Sequence, residues 1–258
     1  MNNASENLWS SLLRETNEAL KRAAEYLLLA EDGIPPVNDM TLVYVRQQAH
    51  SVASVALDVQ LLVSHQRFQN VAGLCRIGFE SRIHLYAAMR VPEFAPQKYL
   101  AQAKGNVDEL EELIRDGVNS PDFQQGLEKQ RRLLNEMRQD YGGIRERKWK
   151  ICEAADAGGL MADYEEHYSL LSKAAHNTPT GLAYKDDPRI LVFTVLRLLH
   201  DTVEACACLV FFRQRGDCSS KPVTRNWKAV TEPILTLQNE YGNLAIRLNE
   251  RLREEFRA

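Results

Sequence analysis

Between Leu42 and Val63 the apolar positions Leu42, Val45, Ala49, Val52, Ala56, Val59 and Val63 recur at alternating spacings of three and four residues. That seam predicts one long helix packed lengthwise on a neighbour, capped by Asn38 or Asp39 and running to about Phe68. The same seam equally suits a dimer face. Helical periodicity marks most of the remaining chain. Leu8 to Glu31 reads as a helix closed by Asp-Gly-Ile-Pro-Pro at 32–36, and Asn70 to Met89 as another closed by Val91-Pro92. Residues 93–104 read as a loop or short helix, followed by a short acidic helix from Asn106 to Arg115. Asn119-Ser120-Pro121-Asp122 opens a helix through 123–140 that stops at Tyr-Gly-Gly, 141–143. Asp163 to His176, an apolar stretch from Ile190 to Arg213, and Asn226 to Arg257 with Pro233 as a kink point complete the set. No alternating β-branched run is bounded by an Asn-Gly or Asp-Gly turn. The expected fold is therefore all-α: one multi-helix bundle with long antiparallel helices. Its core is expected at about 40–92 and 160–258, with a charged helical insertion at about 93–160.

Composition narrows the picture in a few places. The 258 residues suffice for a sizeable core, and 45% hydrophobic with 26% charged residues is ordinary for a globular chain. A net charge of −3 argues against a global electrostatic grip on nucleic acid or an anionic membrane, so any such contact needs a local patch. Ile190 to Phe212 is long enough to span a membrane, yet it carries Arg197, His200, Asp201 and Glu204, which are costly in lipid. A central bundle helix is the better reading. No secretory signal opens the chain, and a cytoplasmic protein is expected. Five cysteines include Cys206 and Cys208, whose spacing is wrong for a metal knuckle and which point about 200° apart on a helix. They read as small buried hydrophobes in a reducing compartment.

Four polar constellations remain. Tyr168, Ser172 and His176 fall at i, i+4 and i+8, so one helix face carries a phenol, a hydroxyl and an imidazole. Asn177, Thr178 and Pro179 then end the helix, leaving His176 in a last turn that favours imidazolium. His176 suits a general acid or base, with Tyr168 or Ser172 orienting it or the substrate; satisfaction of backbone carbonyls is the plainer alternative. No Gly-x-Ser-x-Gly elbow supports Ser172 as a nucleophile. Arg76, Glu80 and His84 form a second stripe at the same spacing, either an ion pair joining helices or part of a site. Arg197, His200, Asp201 and Glu204 form a third, where an Arg197–Asp201 pair is expected and the spacing from one helix makes only half a metal site. Lys129 to Lys150 carries eight basic and three acidic residues with Tyr141 and Trp149 interleaved, a segment that suits RNA backbone and bases or else a solvated helix face. No Walker loop, dinucleotide fingerprint or zinc-protease motif occurs, and neither a cofactor nor a metal is expected.

Leu74-Cys75-Arg76 with Phe79-Glu80, joined downstream by Tyr168, Leu171-Ser172 and His176, resembles the mainly bacterial helical family catalogued as domain of unknown function 5677. The resemblance covers about residues 40–212 and implies that Arg76, Glu80, Tyr168, Ser172 and His176 converge on one site. More remotely, the arrangement is similar to HEPN-type helical domains of toxins and phage-defence proteins. Many of those are metal-independent ribonucleases that act as dimers through an Arg-x(4–6)-His motif. Here Arg46-x(3)-His50 is one residue short and Arg197-x(2)-His200 shorter still, so the resemblance stops before that motif. Two functions are expected from these residues. One is a ribonuclease-like effector, in which His176 accepts a 2′-hydroxyl proton and Arg76 stabilises phosphate charge. The other is a non-catalytic module that binds a ligand or protein partner or forms a homodimer.

Overall fold

The computed structural model describes residues 3–32, 39–118, 120–175, 187–216 and 227–257, and among them there is no strand. The long helices are α1 (Asn3–Asp32), α2 (Met40–Ser64), α3 (Val71–Arg90), α4 (Phe94–Arg115) and α5 (Pro121–Asp140). After α6 (Ile151–Ala157) come the single turn α7 (Met161–Asp163), a π-helical turn (Tyr164–Tyr168) and α8 (Ser169–Ala175). Two more long helices, α9 (Pro188–Gly216) and α10 (Trp227–Arg257), complete the bundle.

The seam of α2 shapes the core. Asp39 starts this helix, its carboxylate accepting from the backbone N–H groups of Thr41 and Leu42 at 2.8 and 3.4 Å. All seven seam residues are at most 7% exposed, covered by α1, α3 and α9 of the same chain. Because that apolar surface is already buried, the seam does not serve as a dimer face. Helix α1 joins the same core through Trp9, Leu12, Leu20 and Leu27, and α10 closes it through Ile234, Leu237, Leu244 and Leu248.

Helices α3 and α9 cross closely at Gly78. A Cβ there would lie 2.6 Å from Leu198 Cδ1 and 3.4 Å from Val55 Cγ1, so an added side chain would have to push the end of Leu198 aside. Gly78→Val is expected to overpack the crossing and lower stability by about 2–3 kcal/mol, readable as a fall in the midpoint of chemical unfolding.

Of the two readings for residues 93–104, loop or short helix, the structure takes the helix and makes it longer, joined to the acidic segment that follows. Helix α4 starts at Phe94 and runs unbroken to Arg115, because Pro96 sits in its first turn, where a missing N–H costs no hydrogen bond. Helices α4 and α5 pair as a hairpin around their own small cluster of Leu100, Ala103, Val107, Leu127 and Leu134. Ser120 caps α5, and Gly142 and Gly143, at φ of +48° and +96°, turn the chain after it. Helix α6, which the periodicity did not predict, then brings the chain back onto α3.

Candidate functional site

Helix α3 places Arg76 and Glu80 one turn apart, and the guanidinium Nε donates to Glu80 Oε1 at 2.9 Å. The π-helical turn brings the Tyr168 hydroxyl to the same point. It accepts from Arg76 Nη2 at 2.7 Å and donates to Glu80 Oε1 at 3.0 Å. From α8, the Ser172 hydroxyl accepts from Arg76 Nη1 at 3.5 Å. Arg76 is thus held from three sides, while its side chain and that of Glu80 stay 27% and 31% exposed. The Glu80 hydrogen bond raises the Arg76 pKa, and burial, with Glu80's charge adding to it, raises that of Tyr168. At neutral pH the cluster therefore presents a fixed cation beside a protonated phenol.

The wide turn is what makes this meeting possible. A π turn inserts an extra residue into the helical repeat and shifts the register of the helix beyond it, a device common at functional sites. Here it also stacks Tyr164 on Tyr168, with ring centroids 4.6 Å apart. Directly before its first residue stands Asp163, which two arginines grip. Arg82 Nη1 and Arg197 Nη2 donate to Asp163 Oδ2 at 2.8 and 2.7 Å. Both arginines also reach Asp201, 1% exposed: Arg82 Nη1 donates to Oδ1 at 3.2 Å, and Arg197 Nε lies 3.3 Å from it, an ion-pair distance without hydrogen-bond geometry. Burial alone would raise the Asp163 carboxyl, but the hydrogen bonds from Arg197 and Arg82 outweigh it and hold the pKa down at about 2. The expected Arg197–Asp201 pair is thus half of a four-residue ionic knot that ties α3 and α9 to the start of the π turn.

Two turns beyond Arg76 along α3, His84 borders a cavity of about 440 Å³ between α2, α4 and the segment around Trp149. Burial, with Lys98 adding to it, depresses the His84 pKa to about 4, so the ring is neutral at pH 7. The basic run divides at this cavity. On α5, Arg131 pairs with Glu111 and Arg138 with Glu146, a solvated face, whereas Arg147, Lys148 and Trp149 line the cavity.

These shifts set an acid prediction. His84 has a folded pKa below its ordinary value of 6.5, so the unfolded state takes up its proton first and stability falls as pH drops from about 6.5 to about 4. Asp163 is depressed from 3.8 to about 2, so its contribution is present above 3.8 and lost as pH falls toward about 2. Equilibrium unfolding against pH should show both windows, about 1–3 kcal/mol each after allowance for partial exposure. His84→Gln should shrink the upper window, to which His167, also depressed by burial, contributes as well, and leave the lower one unchanged.

Of the five residues assigned from the sequence, the structure brings Arg76, Glu80, Tyr168 and Ser172 together, and His176 lies outside the described residues. Sequence reasoning missed Asp163, Tyr164 and the partnership of Arg82, which join positions too far apart to signal one another. Cys206 and Cys208 are buried thiols whose pKa burial pushes up. Among the described residues no group of three His, Cys, Asp or Glu side chains is placed to hold a metal ion. No described helix is long and apolar enough to cross a membrane.

The family of unknown function DUF5677 matches residues 45–187, more than half of the chain, which therefore belongs to that family. The matched span holds α3, the π turn and α8, and with them the whole Arg76 cluster as described. No curated protein and no solved structure matches the chain.

Proposed function

We propose that this chain is a cytoplasmic effector of the toxin or phage-defence kind whose Arg76 cluster cleaves RNA without a metal ion. One observation supports the reading: a guanidinium is fixed by Glu80, Tyr168 and Ser172 on a partly exposed wall. Preorganised positive charge of this kind stabilises the charge a phosphoryl group gains under attack. In the proposed step the 2′-oxygen attacks the adjacent phosphorus and passes its proton to His176. The P–O5′ bond breaks, the Tyr168 phenol protonates the departing 5′-oxygen, and a 2′,3′-cyclic phosphate and a 5′-hydroxyl end result. Glu80 orients Arg76, and Ser172 contacts a phosphate oxygen. The constellation differs from the Arg-x(4–6)-His arrangement of HEPN ribonucleases. Incubating the full chain with single-stranded RNA in EDTA tests it. Cutting that His176→Ala abolishes supports the reading; intact RNA at every protein concentration removes it.

A second reading, a non-catalytic interaction module, is favoured by Leu235 and Ile246. Each is 57% exposed, and they lie three turns apart on one face of α10, where a protein partner or second copy could cover them. A strict monomer with no bound partner in a solution mass measurement removes it.

A further inference from the structure

We infer that the cavity between α2, α4 and the Trp149 segment is a binding site for a nucleoside monophosphate unit, either a free nucleotide or one unit of single-stranded RNA. Three observations carry this. First, at about 440 Å³ the cavity is of a size that holds small-molecule ligands. Second, its lining includes the cations Lys98, Arg147 and Lys148 and no carboxylate, which suits an anion. Lys98 is half-buried and forms no ion pair among the described residues. Burial lowers its pKa against a smaller opposing pull from Glu80, so a ligand phosphate would supply the close countercharge the chain does not. Arg147 does reach an acid, Glu153 at 3.4 Å outside the cavity, but stays half-exposed.

Third, the walls hold flat groups and amides as well as charge. The Arg147 guanidinium lies 3.7 Å from the Trp149 ring centroid, forming a stacked plane of the type on which bases settle. Trp149 is fixed by Nε1 donating to Gln97 at 2.9 Å, and Tyr99 by its hydroxyl donating to Gln47 at 2.6 Å. Gln48 and Gln102 add amides that can pair with a base edge, beside the neutral ring of His84. A simple inorganic anion would use the cations and leave these planes and amides unexplained.

His84 lies four residues beyond Glu80, about 6 Å along the helix, and Lys98 feels the Glu80 charge, so the cavity adjoins the Arg76 cluster but shares no lining residue with it. The inference stands whether or not that cluster cleaves RNA. Calorimetric titration of the full chain with uridine and adenosine monophosphates, and separately with an eight-nucleotide RNA carrying 2′-O-methyl groups to prevent cleavage, tests it. Binding of the monophosphates identifies a free-nucleotide site; binding of the oligonucleotide alone identifies an RNA subsite. In either case Lys98→Gln should weaken binding about tenfold and Lys98→Glu more, with unchanged thermal unfolding, whereas Arg76→Ala leaves the monophosphate affinity as it was. No heat or competition with either probe, or equal binding by Lys98→Glu, overturns the inference.

Discussion

Asp201→Ala is expected to destabilise the protein by about 3–5 kcal/mol, a drop in thermal midpoint of roughly 10 °C for a chain of this size. Asp201 is 1% exposed and is the inner acid of the knot, facing Arg82, whose side chain is 4% exposed, and Arg197 at 11%. Its removal leaves two buried guanidinium groups with only Asp163 between them, and an uncompensated buried charge is what makes such changes costly. Arg197 also sits over the Phe79 ring at 5.2 Å and Arg82 over Tyr86 at 5.4 Å, so neither can swing to water without opening the core. Asp201→Asn keeps the shape and one acceptor and should lose less than Asp201→Ala. Chemical unfolding monitored by circular dichroism checks the order. If Asp201→Ala unfolds within about 1 kcal/mol of the wild type, the knot is not what ties the π turn to the bundle.

Arg76→Ala should do the reverse: little to stability and a great deal to activity. Its ion pair with Glu80 is partly exposed, and such pairs contribute about 0.3–0.5 kcal/mol, so the thermal midpoint should shift by no more than a few degrees. Loss of the one positive charge in the cluster removes the group that, in the proposed function, meets the phosphate. Deleting a single preorganised donor of this type costs about a hundredfold to a thousandfold in rate. Arg76→Lys should recover only part of the loss, since one ammonium cannot replace a guanidinium that engages Glu80, Tyr168 and Ser172 together. Tyr168→Phe keeps the stacked ring while removing both of its hydrogen bonds, and separates the phenol's chemistry from its packing.

How much of the fold and site was legible in the sequence depended on the range over which each feature acts. The α2 seam could be read because burial of one helix face leaves a three-four spacing in that helix alone. The Arg76–Glu80 contact was readable for the same reason, as a single-turn pair. The π turn was not: Tyr-Glu-Glu-His-Tyr carries no period that distinguishes a wide turn from an ordinary one. Nor was the grip on Asp163, because Arg82 lies 81 residues away and only the folded bundle makes them neighbours. Residues 93–104 stayed open between loop and short helix because Pro96 signals a break in general and a helix start only in the first turn. The convergence of Tyr168 and Ser172 on Arg76 came from the family resemblance, and no spacing rule would have supplied it.

The most direct measurement is the rate at which the purified full chain cuts a labelled single-stranded RNA in EDTA, compared with Arg76→Ala under the same conditions. The account predicts cleavage to cyclic-phosphate ends by the wild type and a rate lower by about a hundredfold or more in the variant, with both proteins folded at the assay temperature. Intact RNA with the wild type, or equal cutting by Arg76→Ala, contradicts it.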